Sequence, residues 1–459
     1  MNTQIKFLFI IISLLAMSYS LIAPLFPFLA AKHKVGDTTV GIIFSFYALS
    51  NILVIPGINA LIYYIGRKTL CYISMYICAL STISFGLISS VESSAMFVFL
   101  SMMIMLFEGI GISILSIMIY SIAASLSEPS ELKTNMGYLE LAYSSGLSLG
   151  PFIASGLYYF FGEKTPFYFC GALTFLLGSS LISKVDISDE DTNSKTNFFS
   201  LLFNYEIRLT FFVIICDMVS TTFIFPVFSI HLNTKFGLGV EITSMFFVFQ
   251  IIGYCTALQI LNAINYRLGN KITMILGLGI NLIGILFLCP VSFIPQNWLM
   301  VVVGMTIIGF GGVLITIPGI IDIMNILKEK MKLSEVQAND NASAMYNFAS
   351  ALGEAFGPLM GGYITERHGF EQACFMTSLI NFIFSFVFGF SNVKNIHREL
   401  KEAKVKVAFY DENPNNHSWN LDTSFSSVGA LDRTAVLARN KIAFSLSKSF
   451  SNEPYSLLI

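Results

Sequence analysis

The stretch NALIYYIGRK, residues 59–68, returns 203 positions later as NAINYRLGNK, residues 262–271. Asn59 and Asn262, Tyr63 and Tyr266, Gly66 and Gly269, and Lys68 and Lys271 fall at the same places in the two copies. Each copy separates two long apolar runs. A second pair repeats at nearly the same spacing. AYSSGLSLGP, residues 142–151, matches ASALGEAFGP, residues 349–358, so that Gly146, Gly150 and Pro151 correspond to Gly353, Gly357 and Pro358, 207 positions apart. Two matches at almost one offset indicate that a unit of about half the chain was duplicated.

The material between the repeats indicates the solvent. The 459 residues are 55% hydrophobic and 12% charged, and the mean hydropathy is +0.72. A water-soluble fold of this size cannot bury so much apolar surface, so lipid is the expected surrounding. A spanning helix takes about 20 mostly apolar residues. The sequence offers such runs at 7–30, 40–64, 70–89, 95–124, 137–161, 166–184, 208–232, 241–264, 271–294, 298–325, 342–365 and 371–392. The expected fold is therefore an all-α membrane protein with twelve transmembrane helices in two pseudo-symmetric six-helix bundles, related by an axis along the membrane normal. The start of the chain could pass for a secretory signal, but the apolar run continues into PLFPFLA and reads as an uncleaved first helix. The N-terminal bundle is expected over 1–184, a cytosolic central loop over 185–207, the C-terminal bundle over 208–393 and a disordered tail over 394–459.

Loop charges set the orientation. With the N-terminus in the cytosol, twelve Lys and Arg of the loops fall on the cytosolic side and five on the other, so both termini are expected inside. In the repeated hinge, glycine permits a tight turn, while Arg67, Lys68 and Lys271 are expected to lie at the anionic inner leaflet. The GxxxGP copies should let backbones approach closely, with Pro151 and Pro358 loosening their helices.

Five ionisable groups lie within the runs: Glu108, Glu140, Asp217, Asp322 and Glu354. Ionisable groups in a bilayer are costly and face the bundle interior. All five are acids, and no Lys or Arg lies deep within a run. A cavity lined by acids alone attracts cations and repels anions, so amines, polyamines or other organic cations are the expected small-molecule substrates, with protons as the exchanged ion. Glu108, Asp217 and Glu354 sit well inside their helices. Glu140 also suits a helix N-terminus, and Asp322 is close enough to the cytosolic end to be solvated. Tyr120, Tyr143 and Phe225 could offer ring faces to a cation; packing is the competing role. His33 and His231 read as interfacial.

Seven scattered cysteines in apolar surroundings predict no disulfide and no metal site. There is no HExxH, GxSxG or P-loop, hence no expected enzyme activity, catalytic residue or cofactor, and no basic domain to bind nucleic acid. The chain ends SNEPYSLLI, in which Glu453, Leu457 and Leu458 form an acidic dileucine pattern and Tyr455 to Leu458 a tyrosine-based one. Such patterns are read by adaptor complexes, which makes endosomal, lysosomal or vesicle membranes the expected location.

With the hinge and GxxxGP in view, residues 5–393 resemble the major facilitator superfamily. PLFPFLAAKHKVGDTTVGIIFSFYAL (24–49) and NDNASAMYNFASALGEAFGPLMGGYITERHGF (339–370) are similar to the vesicular amine transporter family, especially its divergent polyamine-transporting branch. The resemblance implies alternating access. It also exposes departures. The superfamily hinge carries an acid where Tyr63 and Tyr266 stand and a glycine where Asn59 and Asn262 stand. The fourth helix lacks the usual arginine near Met105, and helix one, residues 7–31, lacks the aspartate of monoamine transporters. A drug or lysosomal solute exporter with a neutral substrate, or a non-transporting receptor or scaffold, are the competing readings.

Overall fold

A computed structural model of the chain describes residues 3–127, 132–185, 201–288, 297–333 and 335–401. The described residues are almost entirely helical: α1 Thr3–Ser20, α2 Ile22–Lys32, α3 Asp37–Ile65, α4 Arg67–Ile88, α5 Ser94–Leu126, α6 Leu132–Phe161, α7 Thr165–Leu173, α8 Ser179–Ile182, α9 Tyr205–Thr222, α10 Phe228–Phe236, α11 Val240–Leu268, α12 Asn270–Leu288, α13 Trp298–Met331, α14 Glu335–His368 and α15 Phe370–Ser391. A last helical stretch covers 393–401. Nine helical segments among the described residues are long and apolar enough to cross a membrane. Three expected spans fall outside that set: α6, α9 with α10, and α14. These carry Glu140, Asp217 and Glu354 in the sequence.

Two of the expected spans are broken, and broken alike. The first run divides at Leu21 into α1 and α2, and the seventh divides over 223–227 into α9 and α10. Pro24 stands just beyond the first break and Pro226 within the second, 202 residues apart. Each proline lacks the N–H that would bond the carbonyl four residues earlier, and its ring presses on that carbonyl, so the helix turns there.

The duplication appears in the backbone as well. Gly66 and Gly269, the paired hinge glycines, adopt φ of +80° and +82°. Gly162 and Gly369, 207 residues apart, both adopt +88° where α6 gives way to α7 and α14 to α15. A side chain would strain each of these positions. Packing repeats too. α6 lies on α1 as α14 lies on α9, and α3 on α5 as α11 on α13.

The GxxxGP motifs act where expected. A Cβ on Gly146 would sit 2.8 Å from Ala16 Cβ, and one on Gly150 would sit 2.7 Å from the Met17 carbonyl, both on α1. The equivalent Gly353 would press to 2.7 Å on the Ile215 carbonyl of α9, with Gly357 overlapping Thr222. Glycine thus sets the α1–α6 and α9–α14 separations.

Between the bundles, α3 packs on α14 and α6 on α11. The links between the bundles cluster toward one side, the far side, away from Gly66 and Gly269 on the hinge side. Ser45 Oγ donates to the Ala355 carbonyl at 2.7 Å, Thr38 N–H donates to Glu366 Oε2 at 2.7 Å, and Ser155 Oγ donates to the Glu241 carbonyl. Gly41 lies against the Pro358 carbonyl and Gly362 against that of Asp37. The hydroxyl and N–H of Thr38 hold the Glu366 carboxylate below its usual range. Aromatic rings close the same region: Phe44 meets Phe225 at 6.2 Å, and Phe225 meets Phe247 at 6.2 Å. The largest apolar cluster runs through both bundles here, whereas separate smaller clusters serve the hinge side of the C-terminal bundle.

Candidate functional site

Beneath the far-side aromatic plug, α1, α3, α5, α6 and α14 converge. Tyr47 follows Phe44 by one turn of α3, and its ring stacks on Tyr19 of α1, with centroids 4.5 Å apart and planes 26° from parallel. Tyr143, Glu108 and Glu354 all lie within electrostatic reach of this pair. The groups coupled to the two tyrosines are acids and phenols, and none is a base.

Glu108 is fully buried. The Thr82 hydroxyl lies 3.2 Å from its Oε1 and 2.9 Å from the Cys78 carbonyl, and it has one proton to give. Glu108 Oε2 has no partner among the described residues. Leaving a buried carboxylate oxygen so poorly satisfied is costly unless a proton or a cation supplies the missing bond. Glu354 is half-buried on α14, and no described donor reaches its carboxylate. Pro358, four residues on, cannot donate to the Glu354 backbone carbonyl, which loosens α14 beside the bundle interface.

Asp217 occupies a different environment. It is 1% exposed on α9, accepts from Asn281 Nδ2 of α12 at 2.8 Å, and lies 3.5 Å from the Thr316 hydroxyl of α13. Its carboxylate has neutral partners on two helices.

Asp322 departs from expectation. Far from being solvated or free for substrate, its carboxylate accepts from Lys271 Nζ at 2.6 and 2.8 Å and from the Thr210 hydroxyl at 2.6 Å. Lys271 is itself 2% exposed. The sequence placed this hinge lysine at the lipid surface. It lies instead in the first turn of α12, where its stem reaches inward to α13 and buries the charge as an ion pair. Arg67 is similarly buried, at 3%, while Lys68 stays exposed. The hinge glycines behave as the sequence implied, but two of the three hinge cations turn inward.

Tyr120 is half-buried on α5. Phe225 belongs to the plug above the tyrosines. His33 and His231 each stack on a phenylalanine, Phe97 and Phe370, with centroids 4.1 Å apart in both cases. The side chains of Glu140, Asn59, Tyr63, Asn262 and Tyr266 lie outside the described residues, as do the central loop over 186–200 and Glu453, Tyr455, Leu457 and Leu458. The six described cysteines are free thiols, and the described residues hold no cluster of three metal-ligating side chains.

Sequence reasoning passed over Tyr19, Tyr47, Asn281 and Thr316. Tyr19 and Tyr47 were lost among many aromatics. Asn281 did carry a signal, since an amide inside GLGINLIGIL is as exceptional in lipid as a charge.

Comparison with known proteins follows from this geometry. The profile of the Major Facilitator Superfamily matches residues 8–205 and 210–450. The MFS-type transporter SLC18B1 of Rattus norvegicus is 26% identical over 369 residues, covering 79% of this chain and 80% of that protein. The synaptic vesicular amine transporter of Mus musculus is 26% identical over 360 residues, 76% of this chain and 65% of the relative. Among solved structures, the nucleoside transporter NupG superposes with a TM-score of 0.69 at 12% identity, over 84% of this chain and 98% of NupG. A bacterial homologue of the human lysosomal transporter Spinster, in an inward-facing and unoccupied conformation, superposes at 0.68 with 13% identity, over 87% of this chain and 97% of its own. These relatives and neighbours are transporters, not enzymes.

Proposed function

The chain belongs to the Major Facilitator Superfamily, and from that premise we propose that it moves an organic cation, an amine or polyamine, across a membrane by alternating access in exchange for protons. The observation that carries this reading is the pairing of the Tyr19–Tyr47 stack with Glu108 and Glu354. Stacked phenol rings present their negative faces to a cation, and two carboxylates without a compensating base set the sign of what can enter. Buried negative charge without a base can be neutralised by a proton or by a substrate cation, which supports exchange of one for the other. The far-side closure, made of the plug and the Ser45–Ala355 contact, supports a state open toward the hinge side. Rocking of the bundles about the α3–α14 and α6–α11 seams would carry the site to the other face.

The similarity to a synaptic vesicular amine transporter supports the amine class and a vesicular or endolysosomal membrane. The Lys and Arg bias of the loops supports cytosolic termini and hence a cytosolic hinge side. Amines would then move from the cytosol toward an acidic lumen, and adaptor complexes would sort the protein through its tail.

The test is uptake of labelled spermidine, labelled serotonin and a neutral solute by proteoliposomes, with and without an imposed proton gradient. Gradient-dependent accumulation of a cation, lost in Glu354→Gln, is the expected result. Accumulation of the neutral solute alone overturns the charge argument in favour of a neutral-substrate exporter. Transport of none of the three favours a receptor or scaffold.

A further inference from the structure

Asp217 is as deeply buried as Glu108, yet it is not built like a substrate ligand. Neutral donors from α12 and α13 approach it, and the one titratable group electrostatically coupled to it among the described residues is the thiol of its neighbour Cys216. α12 presents Asn281 to it and α13 presents Thr316 and Gly312. The amide of Asn381 on α15 is occupied one turn along α9 by Ser220.

Asn281 is completely buried, and while its Nδ2 donates to Asp217, its Oδ1 has no hydrogen-bond partner. That oxygen packs on the backbone of Gly311 in α13. An acceptor left without a donor in a sealed place is the costly arrangement of a buried amide. Rotation of the amide by half a turn would exchange oxygen and nitrogen, which differ little in shape. Nδ2 would then lie on the Gly311 side and Oδ1 would face Asp217. This second arrangement is satisfied only if Asp217 carries a hydrogen to donate.

We propose that Asp217 is the group that carries the exchanged proton, and that Asn281 is its positioning partner, turning its amide between the two protonation states, while the substrate cation is held separately by Glu108 and Glu354. The inference rests on the cation-exchange reading and divides its roles. In the protonated state the Asp217 O–H donates to Asn281 Oδ1. On release, the O–H bond breaks, its electron pair stays on the carboxylate, the proton passes to water admitted from the open side, and Asn281 rotates to donate its N–H. Each state keeps a partner for Asp217, so neither requires an unpaired buried charge to await the other. Glu108, with an orphan oxygen and a shared hydroxyl, has no such built-in alternative and depends on its guest.

Asp217→Asn mimics the protonated form in shape and can bond both Asn281 and Thr316. In full-length protein in proteoliposomes, Asp217→Asn is expected to continue exchanging labelled for unlabelled spermidine or serotonin without a proton gradient. It is expected to lose gradient-driven accumulation at least tenfold. Asn281→Leu is expected to accumulate cation with its pH profile shifted toward alkaline pH, which a merely structural role would not produce. Loss of exchange as well as accumulation in Asp217→Asn would make Asp217 a substrate ligand and overturn the proposal, as would full gradient-driven accumulation. If the wild type accumulates neither cation, the exchange reading falls. Difference infrared spectroscopy then still decides the role of Asp217. A pH-dependent protonated-carboxyl band that vanishes in Asp217→Asn supports proton uptake there, and its absence at every pH refutes it.

Discussion

Lys271 Nζ lies 2.6 Å from Asp322 Oδ1, and both side chains are at most 5% exposed. A charged pair so deep is held together by the penalty of separating it rather than by a large net gain. Asp322→Asn would strand the lysine charge, and a destabilisation of about 3–5 kcal/mol is expected. Lys271→Met combined with Asp322→Leu should recover most of that loss. Thermal unfolding of the purified single and double variants in detergent measures the difference, and a double variant as unstable as the single one would contradict it.

The close approach of α14 to α9 gives a steric prediction. Gly353→Ala places a methyl 2.7 Å from the Ile215 carbonyl, and backbone cannot yield as a side chain can. A loss of about 1–3 kcal/mol is expected. Gly156 on α6 meets nothing within 4 Å, so Gly156→Ala should be neutral or slightly stabilising. Melting temperatures of the two variants should separate accordingly.

The Tyr19–Tyr47 stack gives a binding prediction. Tyr47→Leu removes one ring face and should weaken equilibrium binding of the transported cation about tenfold, while Tyr47→Phe, which keeps the ring, should stay within about twofold. Binding of labelled spermidine and serotonin to purified protein tests it, and equal losses in both variants would point to the hydroxyl instead.

A pH prediction comes from the end of the described chain. Glu399, on the helical stretch 393–401, accepts from the Lys271 backbone N–H at 3.0 Å and covers Gly269. Burial pushes its carboxyl up to about 7, with the Lys271 N–H partly opposing and the nearby Asp322 adding to the rise. The same stretch is held through Asn395 to Glu206, which Lys330 also grips. An acid whose docked value exceeds its free value of about 4.3 binds more protons when docked, so docking weakens as pH rises from about 4.3 through 7. Protection of amides 393–401, measured as hydrogen-exchange rates relative to the intrinsic rate at each pH, should therefore fall between these limits. Glu399→Gln should remove this pH dependence.

Much of the architecture was legible in the sequence because duplication writes geometry twice. Gly66 and Gly269 could be paired before any backbone was seen, and the glycines of the two GxxxGP copies lie at close helix contacts. The breaks at Leu21 and over 223–227 were missed because Pro24 and Pro226 sit in unbroken apolar runs, where hydropathy has no means of registering a lost N–H. Among the acids, Glu108 and Asp217 lie deep in their runs, and their burial follows from that depth. The meaning of Asp322 was not legible, since it depends on Lys271, which is 51 positions away and looks like a loop cation. Tyr19 and Tyr47 lie on different helices, and neither sequence nor composition brings them together.

At the centre of the far-side seam, Gly41, Ser45, Ala355 and Gly362 meet through backbone atoms. Long side chains that interlock must give up rotamer freedom when they meet and regain it when they part. Glycine, serine and alanine have little to surrender. At this central contact two bundles can separate and rejoin with almost no change in side-chain order, so it can be tight in one state without becoming an entropic trap.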